Sequence, residues 1–500
     1  MYASVDAAPM SGQPCVSIIS PEHLAQQESI GLIRKCDRKL VKRFGRAMHA
    51  YEPATAERTH RLRPLLHPMD VNEFAEFEGE MSLESTAEHM HDIAPQSMAI
   101  CDDFTAGYWQ GGLARDVQYY YGFIDQTGQC YVYCRMVMGC KVTANTMQVV
   151  ARVLATARQD PADLALVRLT VHIDNVRFLF LEADRVRGER VARIFRENCT
   201  IAKTTLNVEA TNVPHRIGPF CGVIYDYHNA RMWATPKTLV KLERATKAFT
   251  ADTSIKHMME LFGLMFHLTT ILRPPLATYY HILKWYRKRT AEYARGDAFM
   301  SDSARIWPST LKQLKEWTSF LQANTPVGRP IATPGDKHLF TDASNVGWGA
   351  YLILPSGTVR IAAASWTPLE LSRNINEREA MAVDNALRAF ADYITSDSFH
   401  LHIDNTSVIW GLAKGRSNRW NMNTRVTEIL ATLKLHNATC AIHYVNTREN
   451  PADDPSRNPW RYAHARGGAA QTQLPSAEQR AVQTGRDKRN PIHFVRSCRN

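Results

Sequence analysis

Short apolar runs of period two and helix-period stripes alternate along this chain, and the pattern changes character near residues 97, 237 and 338. Residues 1–96 are mostly polar, and within them the basic stretch IRKCDRKLVKRFGRAMHAY at 33–51 predicts a helix. Between 97 and 236 the β-like runs SMAICDDF, YYYGFI, YVYCRMVM, LALVRLTVHIDN, FCGVIYDY and ARMWAT interleave with helical stretches at 143–157 and 184–197. That alternation predicts an α+β domain around a central sheet. Residues 237–325 turn helical and basic, with Leu261, Met265, Leu268 and Ile271 at helical spacing and the cluster KWYRKRT at 284–290. A Pro/Gly-rich stretch then marks a linker at 326–337.

The pattern is clearest from 338 to 457. HLFTD, WGAYLIL and TVRIAAASW read as three strands, followed by an amphipathic helix with Ala380, Val383, Leu387 and Phe390 on its inner stripe. FHLHID and CAIHYV read as two further strands, separated by the helices SVIWGLA and TRVTEILATLKLH. The order β-β-β-α-β-α-α-β predicts a mixed sheet with flanking helices, and the chain as a whole an α+β and α/β multidomain protein. The tail, 458–500, carries eight Lys and Arg against two acids and predicts a flexible basic arm.

Composition narrows the class. A chain of 500 residues with 45% hydrophobic and 22% charged residues has room for several cores. Its net charge of +11 favours polyanionic partners such as nucleic acid. Ten cysteines without a CxxC pair point to reduced, structural thiols in an intracellular protein, cytoplasmic or nuclear. The longest apolar helix candidate, 258–272, is interrupted by Glu260 and His267, so no membrane span is expected.

Four carboxylates carry the chemistry of the last third: Asp342 at the end of the first strand, Glu379 in the first turn of the long helix, Asp404 at the end of the fourth strand, and Asp453 after the last. A single Asp at a strand end is ordinarily a turn former or helix cap. Four in this order suit a pair of hard divalent cations, one activating a water and one stabilising the leaving oxygen of a phosphodiester. Their contexts, FTDAS, INEREAMAV, HIDNTSV and NPADDPSR, resemble the four motifs of a type 1 ribonuclease H domain of retroelement reverse transcriptases. The set is most similar to DIRS-type and VIPER-like retrotransposons. The loop histidine of the cellular enzymes has no match here, and Asp454 adjoins Asp453, with the AD-x-x-SR register favouring Asp453.

The resemblance implies a polymerase upstream, with fingers in 1–96, a right-hand palm in 97–236 and a helical thumb or connection in 237–325. Asp103 in DDFTAGYWQ and Asp174 in VHIDNV match the palm carboxylates of reverse transcriptases, with the aromatic Tyr108 fixing Asp103 rather than Asp102. Tyr108 then corresponds to the gate against a ribose 2′-OH. Gly139 and Gln148 match the third motif, which lacks its usual Pro; Gly139 would allow close backbone approach and Gln148 would touch the incoming nucleotide. The family's Y-x-D-D box is replaced by His172, Ile173, Asp174 and Asn175, so the second carboxylate becomes an amide that keeps an acceptor oxygen. Lys203 matches a lysine that steadies pyrophosphate, FCGVIYD a primer-grip hairpin, and Arg61 or Arg63 a triphosphate contact in a basic fingers strand.

The resemblance therefore implies an RNA-directed DNA polymerase with ribonuclease H activity. It would use two Mg²⁺ per site, with Mn²⁺ as an alternative, and would act on RNA template, DNA primer, dNTPs and RNA–DNA hybrid. Two rivals remain: an active ribonuclease H beside a decayed polymerase half, and a domesticated, non-catalytic nucleic-acid-binding protein. The sequence leaves the oligomeric state open.

Overall fold

The computed structural model describes residues 2–8, 16–52, 61–76, 83–250, 252–328, 335–462 and 470–472. Most of the basic tail and residues 329–334 of the linker lie outside these. The chain divides into two compact units, Met1–Arg231 and Met232–Asn500, so the helical segment after 237 belongs to the same unit as the C-terminal sheet.

The first unit centres on a three-stranded antiparallel sheet. Asn175–Leu181 lies in the middle, flanked by Ser97–Asp103 and Arg168–His172. The middle strand, NVRFLFL, carries no period-two signal because both of its faces are covered: Val176, Phe178, Leu179 and Phe180 are all buried. Helices Lys141–Thr156 and Arg185–Ile201 pack against this sheet and each other, burying Met147, Ala151, Ala155, Val191, Ala192 and Phe195 in one core with Phe178 and Phe180. Their apolar residues recur every three or four positions, so one stripe of each helix faces the sheet.

The helix expected over 33–51 does not form. Ile33–Lys35 pairs with Cys130–Tyr133, a 3₁₀ turn at Arg38–Leu40 is capped by Asp37, and Arg46–Glu52 pairs with Arg61–His67. Cross-strand pairing outweighs the mild helical preference of Arg and Lys here. Gly45 fixes the close approach, since a Cβ there would fall 2.9 Å from the His67 carbonyl oxygen.

In the second unit, helices Pro236–Lys247, Ile255–Leu272, Tyr280–Ala294 and Pro308–Ala323 enclose Phe262, Trp285 and Trp317. Leu261, Met265, Leu268 and Ile271 are all buried, as their spacing predicts. The following sheet runs in the order Thr439–Tyr444, Ser398–Ile403, His338–Ala343, Gly347–Ile353, Val359–Ser365 and Ala470–Thr472. The first strand, His338–Ala343, is parallel to the fourth, Ser398–Ile403, and antiparallel to the second, Gly347–Ile353. Helix Ile375–Ala389 lays Ala380, Val383 and Leu387 on the core, with Phe390 just beyond its end. Helix Trp420–Leu435 packs beside it. The Asn423 amide donates to the Ala277 carbonyl at 2.7 Å, joining the helical segment to the sheet domain within this unit.

Among the described residues no disulfide forms and no helix is long and apolar enough to cross a membrane.

Candidate active sites

Pairing the first and fourth strands in parallel brings Asp342 and Asp404 to the same sheet end, and the helix after the third strand delivers Glu379 between them. The ligand oxygens of these three carboxylates all lie within 4.8 Å of one another, the one such group of three or more metal-ligating side chains among the described residues. Glu379 stands in the second turn rather than the first. Asn374 caps the helix by accepting from the Glu377 amide, so the helix starts at Ile375 and gains a residue.

Burial and like charge leave this cluster short of cations. Burial pushes the Asp342 carboxyl up to about 6, opposed by a hydrogen bond from the Ser456 hydroxyl and reinforced by Asp404 and Asp453. Burial, then Asp342 and Asp404, raise Glu379 to about 9. Glu379 Oε2 and Asp404 Oδ1 are buried without a hydrogen-bond partner, while Asp404 Oδ2 accepts from Thr447 Oγ1 at 2.9 Å. Buried carboxylate oxygens without a partner are costly unless a cation sits beside them. Hard oxygen donors of this kind fit Mg²⁺ or Mn²⁺.

Asp453 does not join the triad. It begins the short helix Asp453–Arg457 and pairs with Arg457 at 2.9 Å, close enough to raise Asp342 through its charge. Asp454 turns elsewhere, accepting from Asn458 and from the Tyr462 hydroxyl. Ser456 was not singled out in the sequence, although the Ser of the AD-x-x-SR string is its signal.

In the first unit a cavity of about 510 Å³ is lined by Arg63, Asp103, Tyr108 and Asp174, together with Met138, Asn207 and Glu209. Asp103 ends the outer strand of the sheet, and Asp174 occupies the tight turn between its other two strands. Burial and Asp174 raise the Asp103 carboxyl to about 6, with Glu209 adding to the effect and Asn207 and Arg63 opposing it. Burial also raises Asp174. Asp102 points away, held in the protein by Nε and Nη2 of Arg196, which donate to its two oxygens at 3.1 and 3.0 Å.

Several expected positions play other parts. Gln148 is buried and its amide is spent on the turn, donating to the Val171 carbonyl at 2.8 Å and accepting from the Ile173 N–H at 2.5 Å. It therefore braces Ile173, which has φ +61°, rather than facing the cavity. Gly139 has φ +100° and no room for a side chain, but the group it approaches is the Leu66 carbonyl, 2.4 Å from where a Cβ would sit. Asn175 presents its amide N–H to Asp174 Oδ1 at 3.2 Å, so it acts as a donor there rather than through its oxygen. Lys203 is exposed in the turn after helix Arg185–Ile201 and does not line the cavity. Asn207, which donates to Asp103 at 2.7 Å, and Glu209 had no pattern to reveal them. Ile217–Phe220 and Val223–Asp226 form the expected antiparallel hairpin.

Comparison with known proteins agrees with this architecture. The model of an RNase H-like domain found in reverse transcriptase matches residues 335–434, a span that holds Asp342, Glu379 and Asp404 and ends before Asp453. No curated protein matches the chain in sequence. Among solved structures, the foamy viral protease-reverse transcriptase in complex with dsDNA is similar at a TM-score of 0.51 and 15% identity, over 89% of this chain and 87% of that one. The dRH form with double-stranded DNA gives 0.51 and 14% over 88% and 72%. The complex with RNA/DNA hybrid gives 0.51 and 14% over 89% and 56%. The chain thus has the mixed α/β multidomain fold of retroviral reverse transcriptases, with an RNase H-like domain in its C-terminal part.

Proposed function

We propose that this chain is a retroelement reverse transcriptase with ribonuclease H activity, of the DIRS-type or VIPER-like kind. In this reading 1–96 contributes fingers, 97–236 the palm, 237–325 the thumb and connection, and 338–457 the nuclease. The observation that carries it is the carboxylate triad, Asp342 and Asp404 at the ends of adjacent parallel strands and Glu379 on the helix beside them, with unpartnered buried oxygens on Glu379 and Asp404. The foamy viral structures that the chain resembles hold dsDNA or RNA/DNA hybrid, in keeping with nucleic-acid partners.

Asp342, Glu379 and Asp404, with Asp453 at the rim, would hold two Mg²⁺ or Mn²⁺. When bound, these ions supply an activated water and charge stabilisation at the leaving oxygen. The chain's own part is positioning. Ser456 orients Asp342, Thr447 orients Asp404, and Arg457 pairs with Asp453 beside them. In the palm cavity, Asp103 and Asp174 would hold the metals at the primer terminus. Arg63 offers charge to a triphosphate, and Tyr108 closes the wall where a 2′-OH would stand, so dNTPs are the expected substrates.

One observation favours a second reading, in which only the nuclease is active: the Asn175 side chain gives Asp174 an amide donor in place of a second negative charge. Two assays separate the readings. Hybrid cleavage in Mg²⁺ or Mn²⁺ is expected for the parent and lost in Asp342→Asn; equal cleavage by that variant would remove the site assignment. Template-primed dNTP incorporation is expected for the parent and stronger for Asn175→Asp. No incorporation by either, with cleavage intact, would establish the nuclease-only reading.

A further inference from the structure

We infer that Arg177 is a positioning residue of the first unit's carboxylate site: its buried cation pins the hairpin Ile217–Asp226 to the strand that follows Asp174, and so sets where a primer end would lie. The inference rests on the polymerase reading of this unit. Arg177 sits in the middle strand Asn175–Leu181, opposite Cys101 on one side and Thr170 on the other. Val176 and Phe178 pack in the core with the two helices. Successive side chains of a strand point to opposite faces, so Arg177 points to the other face, where the hairpin packs.

Arg177 is fully buried, which is rare for an arginine without a carboxylate partner. Its Nη2 donates to Thr170 Oγ1 at 3.2 Å and to the His89 carbonyl at 3.4 Å, both neutral acceptors, while Nε and Nη1 are buried with no hydrogen-bond partner among the described residues. Rings take the place of a counter-charge. The guanidinium carbon lies over Phe220 at 4.9 Å and over Tyr225 at 5.6 Å from the ring centroids, within the range of cation–π attraction. His89 meets Phe220 edge-on at 5.2 Å. Burial, the Arg177 charge and His172 push the His89 imidazole down to about 3, so this neighbour is neutral as well.

Phe220 and Tyr225 flank the tip of the hairpin. Its two-residue turn, Cys221 and Gly222, has φ +48° and +79°, and a Cβ on Gly222 would meet nothing within 4 Å, so the outer side of the turn is open. Burial pushes the Cys221 thiol up to about 12, opposed by Arg177 and reinforced by Cys101, Asp174 and Asp103. The tip therefore lies within electrostatic reach of both cavity carboxylates. The base of the hairpin is tied by backbone, His215 and Ala99 exchanging N–H···O bonds at 2.9 and 3.0 Å; nearer the tip, the rings meet Arg177. An apolar side chain would fill the same space without an uncompensated charge, and such replacements are often neutral or stabilising. What the guanidinium adds is direction, because its planar fork is bonded at one end to the sheet and stacked at the other on the hairpin.

The test compares Arg177→Met and Arg177→Lys with the parent in the full chain. Arg177→Met should melt at or above the parent temperature, since an unpaired charge leaves the interior. Hydrogen exchange read by mass spectrometry should nevertheless speed up at 217–226 and stay unchanged in helix Lys141–Thr156. In dNTP incorporation, KM for the template–primer should rise roughly tenfold with kcat within about twofold, and hybrid cleavage should match the parent. Arg177→Lys keeps the charge without the planar fork, so it should recover part of the loss. Parent-like exchange at 217–226 or an unchanged primer KM in Arg177→Met overturns the inference. So does a lower melting temperature with faster exchange throughout the unit, the mark of an arginine that only holds the fold. Should the parent incorporate no dNTP, the polymerase reading alone fails; the exchange comparison, with template–primer binding by fluorescence anisotropy in place of KM, still decides the role of Arg177.

Discussion

The carboxylates of the C-terminal triad are costly to the metal-free fold. Glu379, raised to about 9, binds a proton in the folded state over a pH range where the unfolded chain, near the ordinary glutamate value of 4.5, has released it. Stability therefore falls as pH rises from about 4.5 towards 9, and Asp342, raised to about 6 from 3.8, adds the same sign over its own narrower window. In chelator, the melting temperature should drop between pH 5 and 8, and Glu379→Gln should flatten that slope. Mg²⁺ should restore stability most at the alkaline end, where the carboxylates ionise. Ser456 offers a quieter probe of the same group. Ser456→Ala removes the hydrogen bond that orients Asp342, and hybrid cleavage should fall roughly 10–100-fold with the fold intact. The aligned DPSR string made this serine visible in principle. What makes it a partner of Asp342 is a contact across 114 residues, which no local pattern encodes.

The turn that carries Asp174 is held by another element, not by its own preference. Ile173 adopts φ +61°, a conformation that costs a β-branched residue about 1–2 kcal/mol, and Gln148 on helix Lys141–Thr156 spends both ends of its amide on the backbone either side. Gln148→Leu strands a buried N–H and a buried carbonyl, which should cost about 1–3 kcal/mol. It should also depress dNTP incorporation while sparing hybrid cleavage, as parallel denaturation and activity assays would reveal. Where a stripe or alternation existed, the sequence was legible at this scale. Helices 143–157 and 184–197 and the eight-element order of the C-terminal sheet domain were readable, because each element buries one face. The doubly covered strand Asn175–Leu181 had no such alternation, and the basic stretch 33–51 was drawn into strands by partners 11 to 100 residues away.

For the whole molecule, the two carboxylate sites belong to different compact units, so their activities should separate. Asp174→Asn is expected to abolish dNTP incorporation and leave hybrid cleavage near the parent level, with Asp404→Asn giving the reverse; loss of both activities in either variant would mean that the units do not work independently. The sequence by itself determined the helical and sheet segments of the C-terminal sheet domain and the likeness to reverse transcriptases, because residue type and one-sided burial leave periodic, local traces. Only the tertiary structure decided that Asp453 pairs with Arg457 outside the triad, that Gln148 braces a turn, and that Asn207 and Glu209 share the Asp103 cavity. Each of those outcomes depends on which strands lie side by side, and strand adjacency is set by long-range packing that no single stretch of sequence contains.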